Sequence, residues 1–346
     1  MSNKPICLSH GKDVDGLASA AIIKIATNAD IILVDYGDLI DSLKTVKSAE
    51  TVYICDVGLN DTLGEQFIKE LERIRKFAPV YYIDHHPLQT EAKKRIISLG
   101  VNLEHSTDES CSVLTYMKFR NNLKRGASIL AAYGAVTDYM DDKPMAKKII
   151  SKYDRQFILL ESTLLSYALA GATEDKGFKQ KAIEDLSNLK YPHEIEGAIN
   201  YSKAGLDKTA KLFIEVAEKG VKHSLMAHME SNEGSTGTIA TILIGAFDVP
   251  VGVAYQHIRD EDIYEVSLRE AFDADFDLAK IVTLVTRILG AGSGGGHKKA
   301  CGARIPKPLL NDFLDLLEFE LDKMSTPSGR TGEEQMRKGI YKPPIE

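Results

Sequence analysis

Four short segments in the first half of the chain concentrate acidic and imidazole side chains. They are SHGKDVDG (Ser9–Gly16), YICDVG (Tyr53–Gly58), YYIDHHP (Tyr81–Pro87) and GAVTDY (Gly134–Tyr139). Each follows an apolar run that reads as a β-strand. If those runs lie side by side, His10, Asp13, Asp15, Asp56, Asp84, His85, His86 and Asp138 converge on one sheet edge. Gathered carboxylates repel one another and lose hydration, so a cluster of this size needs cations among it. Carboxylates with a few imidazoles and no thiolate suit manganese or magnesium better than a closed zinc site. The cofactor expected is therefore two divalent ions, Mn2+ first, with Mg2+ or Co2+ as alternatives. Two such ions held about 3.5–4 Å apart lower the pKa of a shared water and spread the charge of an in-line displacement at phosphorus.

The segments differ in weight. Asp13 and Asp15 lie two apart in a turn that Gly11 and Gly16 permit, but Asp and Gly are common in ordinary capped turns. Asp56 and Asp138 could each be a simple helix cap. Asp84-His85-His86 is more telling, because three successive ligand-type residues after an apolar strand are seldom needed for packing. In ESCSVLTY (Glu109–Tyr116), Ser110 reads as an N-cap, and Ser110 and Ser112 could also touch a phosphate through the helix terminus. No base accompanies Cys111, which excludes it as a nucleophile. Farther on, Gly294, Gly295 and Gly296 leave backbone N–H groups unobstructed as an anion cradle, followed by His297 and Lys298.

The elements that must position these residues alternate in the first half: strands at 5–9, 31–34, 51–55, 80–83 and 101–104, with helices at 16–26, 60–77, 111–121 and 128–136. Strands separated by helices imply crossovers and a doubly wound parallel sheet, whose function collects beyond the carboxyl ends of the strands. From 142 to about 230 only amphipathic helical periodicity remains. A second α/β unit follows, with a helix at 237–247, strands at 250–256 and 263–268, and helices at 277–289 and 309–324. The expected organisation is a catalytic domain over 1–142, a helical connector over 143–224, a smaller α/β domain over 225–324, and a polar mobile tail over 325–346 in which Ile340 and Tyr341 could serve a partner.

HxxDxDG, the strand-end Asp56, the DHH triplet and the later Asp138 resemble the DHH phosphoesterase superfamily in order and spacing. GSGGGHKKACG (Gly292–Gly302) is similar to the GGGH signature of the associated DHHA1 domain. Together the two sets span most of the chain. The resemblance implies one metal held by His10, Asp13 and Asp56. A second would be held by Asp15, Asp56, His85 and Asp138, with Asp56 bridging. It further implies that Asp84 orients a ligand histidine, that His86 faces the substrate phosphate, and that Arg269 contacts a phosphate beside the glycine run. The HxxDxDG form and the ESCSVL stretch most resemble archaeal RecJ-like proteins.

The activity this implies is a phosphodiesterase or exonuclease that hydrolyses single-stranded oligonucleotides, RNA or DNA, to mononucleotides, with the second domain holding the strand end across a cleft. The alternatives are a cyclic-dinucleotide or pyrophosphate hydrolase, or a nuclease subunit of a replication complex. The glycine run counts against a pyrophosphatase, and the full ligand set counts against a pure scaffold. Of the 346 residues, 44% are hydrophobic and 27% charged, with a net charge of −7, so the surface does not suit coating long nucleic acid. The four cysteines, Cys7, Cys55, Cys111 and Cys301, have no metal-ligand spacing and read as buried free thiols. With no apolar run long enough for a signal or a membrane span, the expectation is a cytoplasmic protein with no membrane partner. A homodimer and a replication or repair partner are compatible with these features.

Overall fold

The computed structural model describes residues 4–325 except 60, 233 and 234, and the side chains of residues 61, 62 and 297 also lie outside the description. The expected tail, with Ile340 and Tyr341, falls outside the described residues. The chain divides into two compact units, 1–208 and 209–346.

The first unit opens with β1 (Ile6–His10), α1 (Val14–Thr27), β2 (Asp30–Val34), α2 (Leu39–Thr45), β3 (Val52–Cys55) and α3 (Asp61–Arg75). It continues through β4 (Val80–Asp84), α4 (Thr90–Ser98), β5 (Asn102–His105), α5 (Cys111–Phe119) and α6 (Ser128–Thr137). These strands form one parallel sheet in the order β2-β1-β3-β4-β5. Alternation along the strands sends side chains to opposite faces. Cys7, Tyr53, Cys55 and Ile83 pack with Ile23 and Cys111, while Leu8, Ile54 and Tyr82 pack with Leu39, Phe67, Leu71 and Ile96. Helices thus cover both faces, as the doubly wound reading requires. The cysteines are free and buried.

α7 (Pro144–Ile150), α8 (Arg155–Gly171) and α9 (Lys176–Ser187) follow, then α10 (Ala198–Lys219), which runs across the boundary between the units. Ala146, Ile149, Ile158, Leu165 and Phe178 share one core with Leu17, Ala21, Leu130 and Tyr133 of α1 and α6. Each fully buried aliphatic side chain there contributes about 1.5–3 kcal/mol. These helices are therefore built into the first unit's core.

The second unit contains β6 (Val221–Lys222), β7 (Met226–Glu230), α11 (Thr236–Phe247), β8 (Val251–Ile258) and β9 (Ile263–Glu270). It ends with α12 (Leu278–Leu289), β10 (Ser293–His297), β11 (Ala300–Pro306) and α13 (Leu310–Ser325). Its sheet has the order β10-β11-β9-β8-β7-β6, mixed in direction. The glycine run is thus an edge strand, not a loop. A Cβ at Gly294 would come within 2.2 Å of Val282 Cγ1, so α12 can lie against the strand only because no side chain intervenes. Among the described residues, no helix is long and apolar enough to cross a membrane.

Candidate metal centre

In the order β2-β1-β3, the chain leaves β1 toward one edge and later returns to β1's other side at β3. A crevice opens at such a reversal, beyond the carboxyl ends of the strands. His10 ends β1, Asp13 caps α1 by accepting from Gly16 N at 2.9 Å, and Asp56 follows β3 directly. Gly16 is required by close approach, since a Cβ there would sit 2.2 Å from the His10 carbonyl oxygen. Asp56 is buried and holds φ 60°, a left-handed conformation that Asp tolerates better than most residues. The fourth segment differs from expectation. Asp138 stands at the C-terminal end of α6, not at a strand end.

Asp15, Asp56, His85 and Asp138 each bring one ligand atom to within 4.8 Å of the others. His85 Nε2 lies 3.4 Å from Asp56 Oδ1 and 3.2 Å from Asp138 Oδ2. Asp56, His85 and His86 form an overlapping group. His10 and Asp13 make a separate pair, 3.4 Å apart, and do not close on Asp56 as tightly.

Asp15 is wholly buried, and its carboxylate accepts from Cys111 N at 2.7 Å and Ser112 N at 2.9 Å. It therefore caps α5 from 96 residues away, a favourable place for an anion. Ser110, the expected cap, makes no side-chain capping bond. With Asp15 on those amides, the terminus is not the phosphate site considered from the sequence. Gly134 allows the close fit, since a Cβ there would lie 2.2 Å from both Asp15 Oδ1 and Ser112 Oγ.

Asp84 also departs from expectation. Its Oδ1 lies 2.9 Å from His86 Nδ1 and its Oδ2 accepts from His86 N at 3.2 Å, so it orients His86 and not the ligand histidine His85. Tyr82 donates to the Val57 carbonyl at 2.7 Å and to Asp84 Oδ2 at 3.3 Å. His105 Nε2 reaches the His86 carbonyl at 2.7 Å. Tyr82 and His105 escaped the sequence reading. Their apolar strand context gave Tyr82 away only as core, and nothing local linked His105 to the DHH loop.

The electrostatics separate the adjacent histidines. Burial pushes the His85 pKa down, with His86 adding to the effect against the opposing carboxylate of Asp15. Burial also works against charge on His86, but the hydrogen bond and charge of Asp84 prevail and hold it above the usual imidazole range. Burial, then Asp13 and Asp15, drive Asp56 far above an ordinary carboxyl. Asp138 rises for the same reasons, with Asp15 ahead of Asp13. Burial lifts the Cys111 thiol well above its usual range, which agrees with its exclusion as a nucleophile.

Divalent cations fit these donors. Asp56 Oδ1 and His10 Nδ1 are buried with no hydrogen-bond partner, and the set is carboxylate and imidazole without thiolate.

In the second unit, Arg269 lies on β9 opposite Gly252 and Ala300, and its Nη1 donates to the Leu268 carbonyl at 2.9 Å. Gly294, Gly295 and Gly296 pair with Ala303, Gly302 and Cys301. As an edge strand, β10 leaves its outer row of backbone N–H groups outside the ladder. A Cβ at Gly295 would meet nothing within 4 Å, so packing does not account for that glycine. Lys298, expected at the substrate, pairs with Asp275 at 2.7 Å. The His297 side chain lies outside the described residues.

Residues 211–323 match the DHHA1 domain family. The chain also superimposes on a DHH-domain protein described as a member of the s1p family of ribosomal proteins, with TM-score 0.68 and 16% identity, over 92% of this chain and 86% of that one. The fold is that of this DHH-domain protein, with a DHHA1 domain over residues 211–323. RecJ of Thermus thermophilus, in complex with Mn2+, shares this DHH/DHHA1 fold with TM-score 0.65 and 14% identity over 94% of the present chain. The chain spans 53% of that RecJ, about half its length. The pGpG-specific phosphodiesterase PggH of Vibrio cholerae aligns with TM-score 0.56 and 13% identity, over 92% of this chain and 99% of its own. No curated protein matches this chain in sequence.

Proposed function

We propose that the protein is a metal-dependent phosphodiesterase that hydrolyses single-stranded oligonucleotides, RNA or DNA, to mononucleotides. The observation that carries this reading is the convergence of Asp15, Asp56, His85 and Asp138 beside the Asp84–His86 pair. Asp15, Asp56, His85 and Asp138 would hold one divalent cation, and His10 and Asp13, with Asp56 between the two sets, a second. Cations bound there would supply Lewis-acid activation of water and neutralise charge on the phosphoryl oxygens.

The chain's own groups do the rest. His85, kept neutral by burial, offers an imidazole lone pair. Asp84 accepts the Nδ1 proton of His86, which leaves Nε2 to face substrate and donate a proton to the departing oxygen. Asp15, anchored on the α5 amides, keeps its carboxylate from turning away. In the second unit, Arg269 and the outer edge of β10 would supply cationic and N–H groups suited to binding a phosphate.

Two of the superimposed proteins, an exonuclease and a pGpG phosphodiesterase, are named for phosphodiester substrates, which supports this reading over a phosphoanhydride. Incubation with 5-mer RNA and DNA, labelled at each end in turn, should yield mononucleotides in manganese and nothing in EDTA. Rapid turnover of pyrophosphate with both oligomers intact would overturn the proposal.

A further inference from the structure

The residue after Asp138 is one that metal binding does not explain. α6 ends in a Schellman-type reversal, with Tyr139 N donating to the Val136 carbonyl at 3.2 Å and Met140 N to the Ala135 carbonyl at 2.8 Å. Tyr139 occupies the reversal with φ 56°, the left-handed position where glycine is the usual residue. A bulky side chain there is strained, and such strain persists when something else favours the residue. Packing does not favour it. The side chain is 90% exposed and makes no hydrogen bond, ion pair or ring contact with the described residues. Its neighbour Asp138, meanwhile, has its carboxylate 3.2 Å from His85 Nε2. A second ring borders the cluster at His10, where Tyr36 lies 5.5 Å from the imidazole and is 44% exposed.

We propose that Tyr139 is a stacking platform for a nucleobase adjoining the scissile phosphodiester. The proposal rests on the phosphodiesterase reading above and assigns a base-binding residue for its single-stranded substrate. An aromatic face attracts any base through dispersion and offset stacking, so it grips a strand without reading its sequence. It also adds no charge beside the acidic cluster. Inside a duplex the faces of each base are covered by its stacked neighbours, so the ring favours single strands, and base-free substrates such as pyrophosphate offer it nothing to hold.

The test uses the full chain and a labelled thymidine pentamer, alongside pentamers carrying one abasic tetrahydrofuran residue at each position in turn. Binding is followed by fluorescence anisotropy in EDTA and in manganese, and mononucleotide release is measured in manganese. The wild type should prefer the fully base-bearing pentamer over at least one abasic pentamer by roughly 5- to 100-fold. Tyr139→Gly should bring that ratio close to unity, and Tyr139→Phe should preserve it. Because glycine relieves the backbone, Tyr139→Gly should unfold at a temperature no lower than the wild type. A preference that survives in Tyr139→Gly overturns the proposal, as does a clear drop in its unfolding temperature, which would mean that the ring packs within the native protein. If the wild type cleaves the pentamers with no base dependence, stacking alone fails. If it neither binds nor cleaves any of them, the phosphodiesterase reading fails and takes stacking with it.

Discussion

His86 Nδ1 and Asp84 Oδ1 lie 2.9 Å apart, while the other histidine of the triplet, His85, turns toward Asp56 and Asp138. Adjacent side chains that leave the backbone in different directions thus receive different partners and opposite shifts in proton affinity. This is the division expected where one imidazole is a ligand and the next an acid.

The pair sets a pH dependence. Asp84→Asn removes the charge that keeps His86 protonated, so the His86 pKa should fall. Activity that needs the protonated imidazole is lost as pH rises through that pKa, so the alkaline limb of the pH–kcat profile should move to lower pH. His86→Gln should lower kcat by about 10²–10⁴-fold. An unshifted alkaline limb in Asp84→Asn would refute the proton-donor role.

Without metal, the acidic cluster should make the protein less stable as pH rises. Asp56 and Asp138 have raised pKa values in the fold, whereas an unfolded Asp titrates near about 3.9. Between the unfolded and native values the native state holds more protons, so stability declines with increasing pH. Thermal unfolding in EDTA should therefore give a lower midpoint at about pH 8 than at about pH 5, and the rise produced by manganese should be larger at the higher pH. Asp56→Asn should shrink both differences. A manganese effect that is absent, or the same at both pH values, would count against metal binding at this cluster.

Gly134→Ala should report on the anchoring of Asp15. The added methyl would meet Asp15 Oδ1 and Ser112 Oγ at 2.2 Å, so α6 or the carboxylate must move. Urea unfolding in EDTA should show a loss of about 1–3 kcal/mol, and manganese titration a weaker affinity. Wild-type stability together with wild-type affinity would show that the close fit is unnecessary.

Arg269→Gln probes the second unit. If the guanidinium contacts a non-scissile phosphate, KM for a pentamer should rise about tenfold, in line with the loss of one charge-assisted hydrogen bond. The kcat value should change much less. A fall in kcat at constant KM would move Arg269 out of substrate binding.

Much of the site was legible in the sequence because its groups sit next to unmistakable strands. Val-Tyr-Ile-Cys before Asp56 and Val-Tyr-Tyr-Ile before Asp84 are four-residue apolar runs that fill both faces of a covered sheet. The helices at 39–45 and 90–98 carry no comparable signal in the sequence. α2 is only seven residues long, and α4 buries a single side chain, Ile96, so neither displays a broad apolar stripe. The glycine strand was hidden for the opposite reason, since glycine carries no periodicity at all. Its pairing with Ala300–Arg304 reveals a strand that the local sequence conceals.

The sequence by itself determined which chemistry is available: carboxylates and imidazoles at the ends of predicted elements, in numbers that demand cations. That follows from residue type and short-range spacing, and both are written locally. The tertiary structure decided the partners. It placed Asp15 on the amides of Cys111 and Ser112, Asp84 on His86, Asp138 at a helix end beside His85, and Val282 against Gly294. A hydrogen bond forms only within about 3 Å, and whether residues 96 apart come that close depends on how helices and sheet pack together.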